Sequence, residues 1–73
     1  MDGTLKRLLT MQKEVKALNK ENAKIGKKII RLGNMPDTLE NQAKLAALTD
    51  RNREIIARLD ELDNELTEIE KTL

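Results

Sequence analysis

Gly33-Asn34-Met35-Pro36-Asp37 is the only strong break in an otherwise helix-favouring chain, and its reading decides the fold. Pro36 lacks a backbone N–H and cannot continue a helix that reaches it, while Gly33 suits a left-handed C-cap just before it. Asp37, followed three residues later by Glu40, reads as a capping box that opens a second helix. The expectation is one helix over about residues 4–33, a loop over about 33–37 and a second helix over about 38–72, forming a single helical hairpin over 1–73. Each rod would be roughly 45 Å long at 1.5 Å per residue, and so short a loop favours antiparallel neighbours.

Outward from the loop, both segments carry a heptad pattern. In the first, Leu8, Val15, Asn22 and Ile29 occupy a, while Met11, Leu18, Ile25 and Leu32 occupy d. In the second, a holds Leu45, Asn52, Leu59, Leu66 and Leu73, and d holds Leu48, Ile55, Leu62 and Ile69. Only the two asparagines interrupt the apolar rows. This spacing implies a left-handed coiled coil, but it fits an intramolecular hairpin and a parallel association of separate chains equally well.

The flanking charges choose between them. If Leu32 lies level with Thr38, the g positions of the two helices face one another and pair Arg7 with Glu65, Glu14 with Arg58 and Glu21 with Arg51; the fourth pair, Lys28 with Lys44, is repulsive. Parallel pairing instead matches Arg7 with Gln12, Glu14 with Asn19 and Glu21 with Gly26, none of them ionic. In the second helix it gives one good pair, Arg58 with Asp63, and one repulsive pair, Glu65 with Glu70. Exposed ion pairs add little stability, so their arrangement matters mainly for specifying orientation. Residues 1–35 hold nine Lys or Arg against three acids, and residues 36–73 hold five against ten, so like helices repel and unlike helices attract. The predicted fold class is therefore all-α, a two-helix antiparallel coiled-coil hairpin; a second copy packed on it would give a four-helix bundle.

Composition narrows the function. There is no aromatic residue, so the chain lacks base-stacking platforms and the usual anchors of a ligand pocket. It has no Cys and no His, which removes thiolate chemistry, zinc ribbons and the most common general base. No catalytic residues, metal site or cofactor are expected, and an enzyme is not the reading. No apolar run is long enough to span a bilayer and Met1-Asp2-Gly3-Thr4 has no signal-peptide character, so the expectation is a cytoplasmic protein without a membrane partner.

Four groups of residues stand out as candidates. Asn22 and Asn52 fall in adjacent layers of the seam, within hydrogen-bonding reach, and are expected to specify register. Lys6, Lys13, Lys20 and Lys27 recur at f on the outermost line of the first helix, beside Lys16, Lys24 and Arg31. They read as a solvated face or, in the sharper alternative, as phosphate contacts about 10 Å apart along a duplex. Glu54, Glu61 and Glu68 line c as an acidic outer face.

The fourth group, at e and b, carries Leu5, Leu9, Gln12, Ala23, Gly26, Ile30, Leu39, Gln42, Ala46, Thr49 and Ile56 on one flank. That flank is more apolar and more neutral than plain surface, where the opposite g and c flank is mostly charged, so it either widens the seam near its ends or is a partner or oligomer face. The functional expectation is a small protein–protein interaction module, such as a regulator, inhibitor or adaptor, forming a homo-oligomer, with a dimer as the simplest. A self-assembling structural subunit is the alternative, and duplex nucleic-acid binding the third reading.

Overall fold

The computed structural model describes residues Asp2–Thr72, excluding the side chain of Asp2; Leu73, read above as an a position, lies outside the described residues. Helix α1 spans Asp2–Gly33 and helix α2 spans Leu39–Thr72, and the two pack against each other as a helical hairpin. The molecule is a rod of 55 × 15 × 13 Å with a radius of gyration of 16.6 Å. A compact domain of this length would have a radius of about 11 Å, so the hairpin keeps an unusually large share of its residues at the surface.

The turn lies where the punctuation places it, but its capping differs from the expectation at both ends. Gly33 is the last residue of α1 and has no positive φ, so the left-handed C-cap is not formed. Instead Asn34 N–H donates to the Arg31 carbonyl at 3.2 Å and Met35 N–H to the Leu32 carbonyl at 3.1 Å. These three-residue closures tighten the last turn and satisfy two orphan carbonyls without left-handed backbone, and Pro36 then stops the helix.

At the start of α2 the cap is Thr38 and not Asp37. Thr38 Oγ1 accepts the Asn41 N–H at 3.1 Å, while its carbonyl accepts the Gln42 N–H at 2.9 Å. The predicted capping box is not formed: the Thr38 hydroxyl reaches the third helical N–H instead, and the Thr38 N–H donates to the Pro36 carbonyl at 3.0 Å. Asp37 Oδ1 takes the Gln42 side-chain amide at 2.8 Å, and the Asn41 side-chain amide donates to the Pro36 carbonyl at 2.9 Å. The corner is laced by its own polar side chains.

Three of the four predicted g pairs form, and they fix the register. Arg58 holds Glu14 through two hydrogen bonds of 2.6 and 3.0 Å, Arg51 holds Glu21 at 2.7 and 2.9 Å, and Arg7 reaches Glu65 at 3.5 Å. Each step of seven residues up α1 moves the partner seven residues down α2, which only antiparallel packing allows.

The core is thin and one-sided. Met11, Ile25, Ile55, Leu62 and Ile69 are buried, Ile55 and Leu62 completely. All five are d positions. Leu8, Val15, Leu18 and Leu66 pack around Met11, Leu62 and Ile69 but stay partly exposed, and the a residue Leu45 is 37% exposed. The hairpin therefore closes on its d and g side, where the arginine–glutamate pairs roof the seam, and leaves the a rows leaning toward solvent.

Candidate protein-interaction surface

Antiparallel packing puts the e and b residues of both helices beside those open a rows. Leu5, Leu9, Ile30, Leu39 and Ile56 are 57%, 50%, 69%, 85% and 54% exposed, so they do not widen the intramolecular seam. Gln12, Ala23, Gln42 and Ala46 are exposed among them, and Gly26 and Thr49 are half-buried. A Cβ built on Gly26 would meet nothing within 4 Å. Nothing inside the hairpin requires glycine there, although it destabilises a helix interior by about 1 kcal/mol relative to Ala. Ala23 and Gly26 are small residues within this row of exposed apolar side chains.

Asn22 and Asn52 are half-buried and make no side-chain hydrogen bond to one another or to any other described residue. No buried side-chain N or O atom lacks a partner among the described residues, so both amides are reached by solvent. Leaning of the a rows toward the open flank explains this: the amides stay hydrated where a symmetrical seam would have forced them together. Lys6, Lys13, Lys20 and Lys27 stand exposed along α1, and none of them joins an ion pair among the described residues.

On the opposite flank the arginines do more than the g pattern implied. Arg51 Nη1 also donates to Glu54 at 3.1 Å, and Arg58 Nη1 to Glu61 at 3.1 Å, so each guanidinium joins a carboxylate across the seam to one on its own helix. Glu68 pairs with Lys71 at 3.4 Å and Glu40 with Lys44 at 3.3 Å. The signal for these bridges was present as Arg-x-x-Glu at three-residue spacing within α2. It links the c row to the g row, so Glu54 and Glu61 are committed to guanidinium groups within the chain.

The hydrogen bonds from Arg58 and Arg51 hold the Glu14 and Glu21 carboxyls below the usual glutamate range. The same bonds push both guanidinium groups further up, so they stay charged throughout. A carboxyl whose pKa is lowered by folding stabilises the hairpin above its unfolded value, about 4.3, and loses that contribution as the pH falls through the lowered folded value. Thermal melts followed by circular dichroism are expected to hold a plateau above about pH 5 and to decline below about pH 4. In Glu14→Gln/Glu21→Gln that decline is expected to be shallower; an equal decline in both proteins would remove the ion pairs from the explanation.

No described helix is long and apolar enough to cross a membrane. Compared with protein families, curated proteins and solved structures, the chain shows no match. The chain is a helical hairpin with salt bridges along one flank and exposed large apolar side chains on the other.

Proposed function

We propose that the protein is a small non-enzymatic protein–protein interaction module, a regulator, inhibitor or adaptor that acts by laying its a, e and b flank against another helical surface. The observation that carries this reading is the amount and placement of exposed surface. The hairpin exposes 5845 Å² at a mass of 8.3 kDa, where a folded monomer of that mass exposes about 4,600 Å². The excess of about 1,200 Å² exceeds the roughly 800 Å² that each partner loses in a standard interface. Five large apolar side chains mark where such a partner would sit.

Self-assembly through the same flank, giving a four-helix bundle of two hairpins, is the second reading. The few charges at e and b are of both signs, Lys16 and Arg53 against Asp60, Asp63 and Glu70, so the flank repels its own copy little, and this favours it. Sedimentation equilibrium over a concentration series, with wild type and Leu9→Glu/Ile56→Glu, tests both. Both side chains are at least half exposed, so the variant is expected to keep its helicity. A wild-type dimer that becomes monomeric in the variant supports self-assembly. A monomeric wild type that binds a synthetic amphipathic helix, with binding lost in the variant, supports a foreign partner. Indifference to the substitutions in both assays overturns the proposal.

Gly26→Ala separates folding from association. The methyl group fits open space within the hairpin and is expected to stabilise the helix by about 1 kcal/mol, raising the melting temperature of the dilute monomer by about 4–8 °C. At an interface the same methyl holds the neighbouring backbone away, so association is expected to weaken. Tighter association in Gly26→Ala would show that no helix approaches closely at this point.

A further inference from the structure

The fourth g pair is the fault in the charge pattern. Where three layers oppose Arg to Glu, the layer nearest the loop opposes Lys28 to Lys44, and no described acid pairs with Lys28 or with the neighbouring Arg31. The one salt bridge of Lys44 runs along its own helix to Glu40. Arg31 lies in the last turn of α1 and complements the negative end of the helix dipole, but that leaves two lysines facing each other without an acid between them.

The structure places a groove of about 400 Å³ at this same point, between the helices under the loop. Its floor is apolar and formed by Leu32, Met35, Ala47 and Leu48, while Lys28, Arg31 and Lys44 stand around it. Met35 is 44% exposed and is held in place by its N–H bond to the Leu32 carbonyl. A local charge rule is thus broken at the site where an apolar surface lies open, the combination expected where binding overrides stability. The groove opens on the g and c flank, away from the apolar a, e and b flank, and stands independently of the function proposed for that flank.

We infer that this groove is a binding site for an acidic amphipathic helix of another protein, which would drop one or two aliphatic side chains onto the apolar floor and set glutamates or aspartates against Lys28, Arg31 and Lys44. Charge complementarity selects the acidic partner: a carboxylate between Lys28 and Lys44 would turn the one repulsive layer into the pattern of the other three. The apolar lining selects a peptide that brings aliphatic side chains over an anionic bilayer held by charge alone, and vesicles serve as the contrasting probe. The volume matches a few side chains and lies at the small end of ligand sites.

Methyl NMR of Leu32, Met35, Ala47 and Leu48 tests the inference. The titrant is a capped helical peptide with two leucines on one face flanked by glutamates, set against the same peptide with serine for leucine and against phosphatidylserine vesicles. The leucine–glutamate peptide is expected to shift these methyl signals, and Lys28→Glu is expected to weaken its binding by about tenfold or more. That variant supplies the missing Lys44 partner, so it is expected to melt at or above the wild-type temperature, and its loss of binding would not reflect unfolding. Met35→Asp, in the loop and outside the seam, removes part of the floor and is expected to give the same loss. No methyl shift with the leucine–glutamate peptide, binding as tight as wild type in Lys28→Glu and Met35→Asp, or a response to the vesicles alone would each overturn the inference.

Discussion

Leu62→Ala is expected to lower the stability of the hairpin by about 2–5 kcal/mol, the range for deleting a fully buried leucine side chain. Leu62 has no solvent exposure and sits at the centre of the cluster formed with Met11 and Ile69, around which Leu8, Val15, Leu18 and Leu66 pack. In a chain of this length, stability is expected to total about 4–11 kcal/mol, so a single truncation removes a large part of it. The thin core makes the effect severe, because no second layer of side chains can close over the cavity. At about 4–8 °C per kcal/mol, the melting temperature is expected to fall by at least about 8 °C. The comparison with Leu59→Ala, at an a position that is only half-buried, sharpens the prediction, since that change is expected to cost clearly less. Equal losses would contradict a seam closed on its d side.

Asn22→Leu/Asn52→Leu is expected to act in the opposite direction. Both residues are half-buried and make no side-chain hydrogen bond, so replacing them removes no internal interaction and adds apolar contact to the a rows. Roughly half-burying two leucine side chains contributes about 2 kcal/mol, which corresponds to a rise of about 8–16 °C in melting temperature. The cost is expected in uniqueness, because a polar a residue penalises shifted registers and alternative oligomers that an all-leucine row would accept. Sedimentation of the double variant is expected to show a broader distribution of species than wild type. A drop in melting temperature would mean that the asparagines contribute stability that their solvated position gives no reason to expect.

The sequence carried the two ends of the physical problem better than its middle. Pro36 and the glycine before it mark the turn because backbone chemistry acts locally, and the Arg–Glu pairs fix the register because charges seven residues apart repeat along each helix. The capping details were less legible. Asp37 and Thr38 are both good caps, and which hydroxyl or carboxylate reaches the third N–H depends on the path of the loop, which gave the position to Thr38. Gly33 permitted left-handed backbone without requiring it, and the three-residue closures onto Arg31 and Leu32 made it unnecessary.

The unequal burial of the a and d rows could not be read from heptads, which treat the two alike. The buried residues are all d positions, on the side where the two bidentate arginine clamps lie. On the other side the half-buried a residues lie next to the exposed Leu5, Leu9, Ile30, Leu39 and Ile56. The Lys28–Lys44 mismatch was visible in the sequence as a defect. The groove over Leu32, Met35, Ala47 and Leu48 beside it was not, because its lining joins the end of α1, the loop and α2.

The account rests on the two helices lying side by side within one molecule, and a spin-label distance tests this most directly. Ala17 and Ala57 are exposed, uncharged and within two residues of the same level in the observed register, so Ala17→Cys/Ala57→Cys carries labels with little disturbance. Diluting the labelled protein with unlabelled chain isolates the intramolecular distance. The hairpin predicts a separation below about 25 Å, as expected for neighbouring helices whose axes are 8–10 Å apart. A distance near 60 Å, the value for forty residues of continuous helix, would contradict the fold and everything built on it.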